Sequence, residues 1–376
     1  MFRIAKRLLI PVLASFSALV IILCILFFVT SNTDDNEIVT VYCVTKVKRD
    51  APLNPLTQYT YDEKGRILEV INSEGKTFRR YSYDEYGNPT HFPYPGGGNA
   101  AATYDKNGNM LTLKRYYSDI TKPNLDNIYT YDRKGKLIET VSYSNGTPSI
   151  TERYTYNKNG DLITKSREYA SNNSVPNEYI HAEYDENRNM IHFKMYYGEL
   201  LRLHEEYAYD TAGRIIATTQ IRDNKIASKQ EFVYDVTGRV IQMITYYSEQ
   251  TVAELPSSII DYEYDSLGNL VKRTTTENGK QYIVKWTYDS KGNLTSYDNG
   301  SSLTKWYYDS NGNIVKEEWI YNNRVSSTEY TYEAFQVTRK EAEFIRSQQE
   351  DIISLPNWDE TPKTYLEILE MQLIPE

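Results

Sequence analysis

The amino-acid sequence predicts a mainly β fold: a long antiparallel meander of hairpin repeats curling into a spiral, barrel or partial shell, with an N-terminal membrane helix and a short C-terminal helical cap. Three observations predict it. A Tyr-Asp-x-x-Gly frame returns about twelve times. Tyrosine is in excess, with 36 residues against 10 Phe and 4 Trp, and Tyr favours half-buried pleated surfaces where its ring packs and its hydroxyl stays wet. A single uncharged apolar run stands near the start of the chain.

The elements follow in order. Residues 1–7, with Arg3, Lys6 and Arg7, read as a cytoplasmic tail, because positive charge stays on the cytoplasmic side of a membrane. Residues 8–30 carry no charge and are followed by Asp34, Asp35 and Glu37. A cleaved signal has an apolar core of roughly 7 to 15 residues and a spanning helix needs roughly 20, so the length predicts a transmembrane signal-anchor. The alternative is a signal cleaved near Val29-Thr30-Ser31, leaving a secreted or periplasmic protein. Lipidation at Cys24 is disfavoured by the bulky neighbours Leu23 and Ile25. Cys43 is the only other cysteine, so no internal disulfide framework forms, although Cys43 is free to pair between chains.

Residues 31–57 form a juxtamembrane segment. Alternating Ile, Val and Tyr between Glu37 and Val47 predict an opening strand that caps the array near the membrane.

The array occupies 58–333. Its key tyrosines are Tyr61, Tyr83, Tyr104, Tyr131, Tyr156, Tyr184, Tyr209, Tyr234, Tyr264, Tyr288, Tyr308 and Tyr332. Ten are followed by Asp: Asp62, Asp84, Asp105, Asp132, Asp185, Asp210, Asp235, Asp265, Asp289 and Asp309. Ten have Gly four positions on: Gly65, Gly87, Gly108, Gly135, Gly160, Gly213, Gly238, Gly268, Gly292 and Gly312. Asp at the first and Gly at the fourth position is the composition of a type I turn, with the glycine at positive φ forming the bulge that matches strand twist. Ten key tyrosines are preceded at position minus two by an aromatic, such as Tyr129, Tyr154, Trp286 and Trp306, and small or polar residues lie between. That is the period-two signature of a strand with one packed face. An aliphatic residue or Met two beyond the Gly, as at Ile67, Met110 and Leu162, starts the second strand. Asn145-Gly146, Asn278-Gly279, Asp298-Asn299-Gly300 and Asn322-Asn323 mark the second turn of a repeat. Repeat six departs from the frame: Arg188 replaces the glycine, so its turn is expected to be rebuilt or strained. Pro95 to Gly98, with Pro93 and Ala100 to Ala102, reads as an exposed loop.

Residues 334–376 form the cap. The pattern turns helical from Thr338 to Ile353, and Thr361-Pro362 opens a last helix.

Tyr59-Thr-Tyr-Asp-Glu-Lys-Gly-Arg-Ile-Leu68 and Trp306-Tyr-Tyr-Asp-Ser-Asn-Gly-Asn-Ile-Val315 resemble the RHS repeat, also called the YD repeat, and the likeness extends over residues 58–333. The resemblance implies a β-strip that spirals into a shell, which in some members encloses a C-terminal toxin. The Gly- and Pro-rich self-cleavage segment of the toxin-bearing members has no counterpart here, so the toxin does not carry over.

The net charge of -9 argues against nucleic acid, which needs a concentrated basic surface. No catalytic, cofactor-binding or metal-binding residue is assigned, and no cofactor is expected. His91, His181, His192 and His204 each lie beside a strand and none is spaced as a metal or catalytic pair, so they read as surface or strand-face residues, and His204-Glu205-Glu206 lacks the second histidine of a zinc-protease helix. Asp309-x-Asn311-Gly312-Asn313 resembles a calcium loop but coincides with the hairpin turn. The aromatic rows suit a shared core better than a carbohydrate platform. The sequence thus predicts a non-enzymatic, membrane-anchored, extracytoplasmic bacterial repeat protein binding a cell-envelope or cell-surface carbohydrate or protein through residues it does not identify. The alternative is a shell-like or accessory component of an RHS-type toxin-delivery or contact-dependent system without its own effector.

Overall fold

The computed structural model describes residues 35–50, 55–94, 98–117, 123, 125–170, 175–222, 224–247, 255–350, 352–353 and 355. The expected membrane helix at 8–30 and the last helix at Thr361-Pro362 lie outside them. Among the described residues no helix is long and apolar enough to cross a membrane. The described chain is almost entirely antiparallel β, in two compact units: residues up to Tyr81 with those from Ile260 onward, and Ser82–Ile259.

The first unit opens with β1 (Ile38–Arg49), β2 (Leu56–Tyr61), β3 (Ile67–Ile71) and β4 (Thr77–Arg80). The second begins with β5 (Ser82–Tyr83), β6 (Pro89–Pro93), β7 (Asn99–Tyr104), β8 (Met110–Tyr116), β9 (Leu125–Tyr131), β10 (Leu137–Ser144) and β11 (Thr147–Tyr156). It continues with β12 (Leu162–Tyr169), β13 (Glu178–Tyr184), β14 (Met190–Tyr197), β15 (Leu200–Tyr209), β16 (Ile215–Arg222), β17 (Lys225–Tyr234) and β18 (Val240–Tyr247). The first unit resumes with β19 (Ser258–Tyr264), β20 (Leu270–Glu277), β21 (Lys280–Tyr288) and β22 (Leu294–Asp298). It ends with β23 (Ser302–Tyr308), β24 (Ile314–Tyr321), β25 (Arg324–Thr338) and α1 (Arg339–Glu350).

The frame makes the turn that the sequence predicts. In β2–β3 the Gly65 N–H donates to Asp62 O at 3.0 Å and the Asp62 N–H to Arg66 O at 3.0 Å, with Gly65 at φ +75°. Beside the turn the register slips by one residue between Thr60 and Tyr61, and the slip recurs at Thr155/Tyr156, Ala208/Tyr209 and Thr287/Tyr288. The second turn is tighter. Asn145 and Gly146 (φ 49° and 78°), Asn278 and Gly279, and Asn322 and Asn323 all have positive φ at both centre positions, the conformation that two-residue hairpins require.

One face of these strands is the core. The aromatics two before the key tyrosine are buried at Tyr129, Tyr154, Tyr207, Phe232, Tyr262, Trp286, Trp306 and Tyr330, as are the residues two after the glycine at Ile67, Met110, Leu162, Ile215, Val240, Leu270, Leu294 and Ile314, and Met190 two after Arg188. Each such side chain contributes about 1.5–3 kcal/mol on burial, and each needs the neighbouring repeat to be buried at all.

Two expectations are corrected, and of the two outcomes open to the repeat-six turn strain is the one realised. The opening strand is no outer cap: β1 pairs with β2 on one side and, from Ile38↔Thr338 to Arg49↔Thr328, with β25 on the other. The stretch after Gly98 is not loop, since Asn99–Tyr104 is a strand with Ala100 and Ala102 buried. The repeat-six turn is not rebuilt: Arg188 holds φ +70° and its N–H donates to Asp185 O at 3.1 Å, as glycine does elsewhere.

The helix α1 packs over the seam that β1 makes. Thr338 and Glu341 form a capping box, the Thr338 N–H donating to Glu341 Oε2 at 3.1 Å and the Glu341 N–H to Thr338 Oγ1 at 3.2 Å. Ala342, Phe344, Ile345 and Gln348 face inward. At Thr45 β1 bulges, since register shifts between Val44 and Lys46. The Val44 N–H then donates to Gln349 Oε1 at 2.8 Å, and Val44 O accepts the Tyr61 hydroxyl. A Cβ at Gly65 would come within 3.2 Å of Phe335, so this turn needs glycine for space as well as for φ.

Candidate functional site

The frame residues were candidate positions, and the structure gives each a specific bond. The aspartate carboxylate organises its own turn. Asp62 Oδ1 accepts the Lys64 and Arg66 N–H groups at 3.0 and 2.9 Å, and its Oδ2 accepts Arg66 Nε at 2.6 Å. Asp84, Asp105, Asp185, Asp265, Asp289 and Asp309 do the same with the side-chain amides of Asn88, Asn109, Asn189, Asn269, Asn293 and Asn313, and Asp210 and Asp235 with Arg214 and Arg239. The calcium-like loop at Asp309 is therefore a turn whose carboxylate is already bonded by Asn311 and Asn313. The recurring Asn or Arg after the glycine was visible in the sequence and not singled out. Repeat five inverts the pair: Asn157 Nδ2 donates to Asp161 Oδ2 at 3.0 Å. Asp161 then meets Arg188 of the next repeat, so the departures of repeats five and six from the frame are bonded to each other.

The key tyrosines bind repeats together. In most repeats the hydroxyl donates to the main-chain carbonyl two residues past the fourth turn position of the preceding repeat, a glycine except at Arg188. In the second unit Tyr104 reaches Pro89 (3.0 Å), Tyr131 Met110 (2.8 Å), Tyr156 Leu137 (2.7 Å), Tyr184 Leu162 (2.9 Å) and Tyr209 Met190 (2.7 Å). In the first, Tyr288 reaches Leu270 (3.0 Å), Tyr308 Leu294 (2.7 Å) and Tyr332 Ile314 (2.6 Å). The one-residue slip interrupts the ladder there, and the tyrosine supplies the donor that the strand does not. These hydroxyls were expected to stay wet. Burial instead pushes those of Tyr104, Tyr131, Tyr308 and Tyr332 above the usual tyrosine range.

On the same face, further from the turns, charge is paired internally. Glu152 accepts the Tyr154 hydroxyl at 2.9 Å and pairs with Lys165 at 2.9 Å and Arg167 at 3.4 Å. Glu205 accepts Tyr207 and the Gln220 amide. Cys43 is fully buried, and burial, then Glu333, pushes its thiol up to about 12. Its thiol is thus held in the inert form, and the pairing between chains open to it in the sequence is closed by its full burial against Gly65 O.

The opposite face of β13–β15 gathers three of the four histidines. Glu183 pairs with His192, and His192 with Glu206, across neighbouring strands. His204 lies two residues before Glu206 on the same face. His204 Nε2 is 3.3 Å from His192 Nδ1, and Glu206 Oε1 is 3.7 and 3.8 Å from those nitrogens. Alongside, Glu183 Oε1 is 3.1 Å from Lys194 Nζ and 3.6 Å from His181 Nδ1. Burial lowers the His204 pKa, keeping its ring neutral. Residue spacing along the chain could not reveal this group, because antiparallel pairing assembles it.

Fold and frame define a protein of tandem YD hairpins. Residues 43–119 match the family described as Teneurin YD-shell, in keeping with the resemblance of the recurring frame to YD repeats of the RHS type. No curated protein matches it. Among solved structures it is similar to the TcdB2-TccC3-TEV crystal structure, at 15% identity and TM-score 0.40, over 70% of this chain and 15% of that one. The Photorhabdus luminescens Tc holotoxin pore is similar at 15% identity and TM-score 0.35, over 78% and 18%. A porin-like protein from Bacteroides uniformis is similar at 12% identity and TM-score 0.28, over 56% and 96%. The chain thus spans less than a fifth of the Tc toxin chains it resembles.

Proposed function

We propose that this chain is a non-enzymatic YD-shell scaffold. It is held outside a membrane by its apolar segment at 8–30 and presents the strand face opposite the core to a cell-envelope or cell-surface protein or carbohydrate. One observation carries the reading: the repeated Tyr, Trp and Asp side chains are engaged in burial, inter-repeat bonds and turns, so repetition builds the surface while contact falls to the other face. That face exposes Ile128, Val233 and Tyr307. The test is a glycan array and a cell-surface binding assay on residues 33–376, run beside thermal unfolding. Trp286→Phe is expected to lower the unfolding midpoint and leave any binding intact. Binding abolished by Trp286→Phe at an unchanged midpoint would make the aromatic row a ligand platform and overturn the scaffold reading.

A second reading, an accessory shell component of an RHS-type toxin-delivery system without its own effector, is favoured by the YD-shell match at 43–119. It requires a polypeptide partner that cross-links to the described face in the native membrane, and cross-linking to lipid or glycan alone would count against it.

A further inference from the structure

We propose that His192, His204 and Glu206 form a transition-metal site on β14 and β15 that takes a borderline divalent ion of the zinc class. The site goes beyond the scaffold reading and stands whether or not the chain binds a cell-surface ligand. Its donor set is two imidazole nitrogens and one carboxylate oxygen, which selects zinc-like ions over calcium or magnesium. The three atoms are 3.3, 3.7 and 3.8 Å apart. Ligands at about 2.0–2.1 Å in a tetrahedral shell lie roughly 3.3–3.5 Å from one another, so the observed triangle closes on an ion with shifts of a few tenths of an ångström.

The scaffold holds the triangle in place. His192 and Glu206 are direct cross-strand partners, and His204 and Glu206 alternate on one strand, so no loop has to move to bring them together. The His204 side chain is only 15% exposed, which limits its rotamers, while Glu206 at 43% leaves an approach from solvent. The nearest opposing charge is the Lys194 ammonium. Lys194 is the cross-strand partner of His204 on one side and of His181 on the other, and Glu183 Oε1 holds its ammonium at 3.1 Å while lying 3.6 Å from His181 Nδ1. Three protein ligands leave one coordination position for water or for a donor from another molecule.

The test uses the soluble chain with any affinity tag removed and stripped by chelator. Zinc chloride is titrated by calorimetry, and cobalt chloride is followed by visible absorption. The expected result is one zinc per chain and cobalt bands of a four-coordinate site. His192→Gln and Glu206→Gln are each expected to weaken zinc by at least about tenfold, the scale on which losing even a supporting contact to a metal ligand is felt. Their unfolding midpoints in chelator should be unchanged, and His91→Gln, on β6, should bind as the parent does. No saturable zinc binding, or any smaller loss in either variant, overturns the proposal.

Discussion

At Asp289 one carboxylate oxygen accepts the Lys291 and Asn293 N–H groups and the other the Asn293 side-chain amide. The same pair stands reversed at Asn157 and Asp161, which makes the geometry indifferent to which side carries the charge. Asp289→Asn should therefore destabilise by about 1 kcal/mol, the scale of a net hydrogen bond, by setting two amide donors face to face. Adding Asn293→Asp should recover most of it in urea unfolding, and a double variant no better than the single one refutes the equivalence. The Asn189 amide holds the Asp185 carboxyl below its usual range, the Arg214 backbone N–H that of Asp210, and the Asn293 amide that of Asp289. A depressed folded pKa gives stability that is complete above the unfolded value of about 3.9 and is lost as pH falls through the folded one. Urea midpoints should be flat between about pH 5 and 7 and drop below about pH 4, with a shallower drop in Asp210→Asn. A drop that begins well above the unfolded carboxylate value would contradict this account. Repeat six shows a different compensation: Arg188 keeps a left-handed backbone while its guanidinium meets Asp161. The sequence signalled the strain of that arginine but not its partner, because the partner lies one repeat away.

Between elements, the tyrosine ladder is the inter-repeat bond. Tyr156→Phe keeps the ring and leaves Leu137 O without its donor, at an expected cost of about 1–3 kcal/mol. Tyr131→Phe and Tyr209→Phe lie far enough apart that their costs should add to within about 0.5 kcal/mol. Hydrogen exchange should quicken in the two strands flanking the missing bond and not elsewhere, and uniform quickening would mean that the ladder does not act locally. Hairpins, turn types and core face were legible in residue spacing, since turn chemistry and period two are local signals. The ladder was not, although every tyrosine in it was named, because spacing fixes which face a side chain occupies and not which carbonyl opens opposite it. The helix α1 was legible from its pattern, but its task was not. Gln349 reaches the Val44 amide that the bulge frees, and Gln349→Ala should cost about 1–3 kcal/mol by leaving that donor buried, measured as a lower urea midpoint with faster exchange confined to β1. An unchanged midpoint would mean that water replaces the glutamine.

For the whole molecule, the decisive long-range contact is β1 inserted between β2 and β25. The sequence announced a strand there and could not announce its partner, since strand patterning specifies a face and leaves the neighbour open. Deleting residues 38–49 should leave β2 and β25 with bare edges. Such edges recruit other chains, so the truncated protein is expected to form larger aggregates or soluble oligomers than the parent by light scattering. A monodisperse truncation would show that the seam is dispensable. The same insertion sets a schedule for biosynthesis. Ile38 must wait for Thr338, about 300 residues later, and at roughly 5–20 residues per second that is about 15–60 s of translation. Throughout that interval the nascent chain carries an unpaired β1 edge, so the time spent before the seam closes, as well as equilibrium stability, bears on how much protein survives to close it.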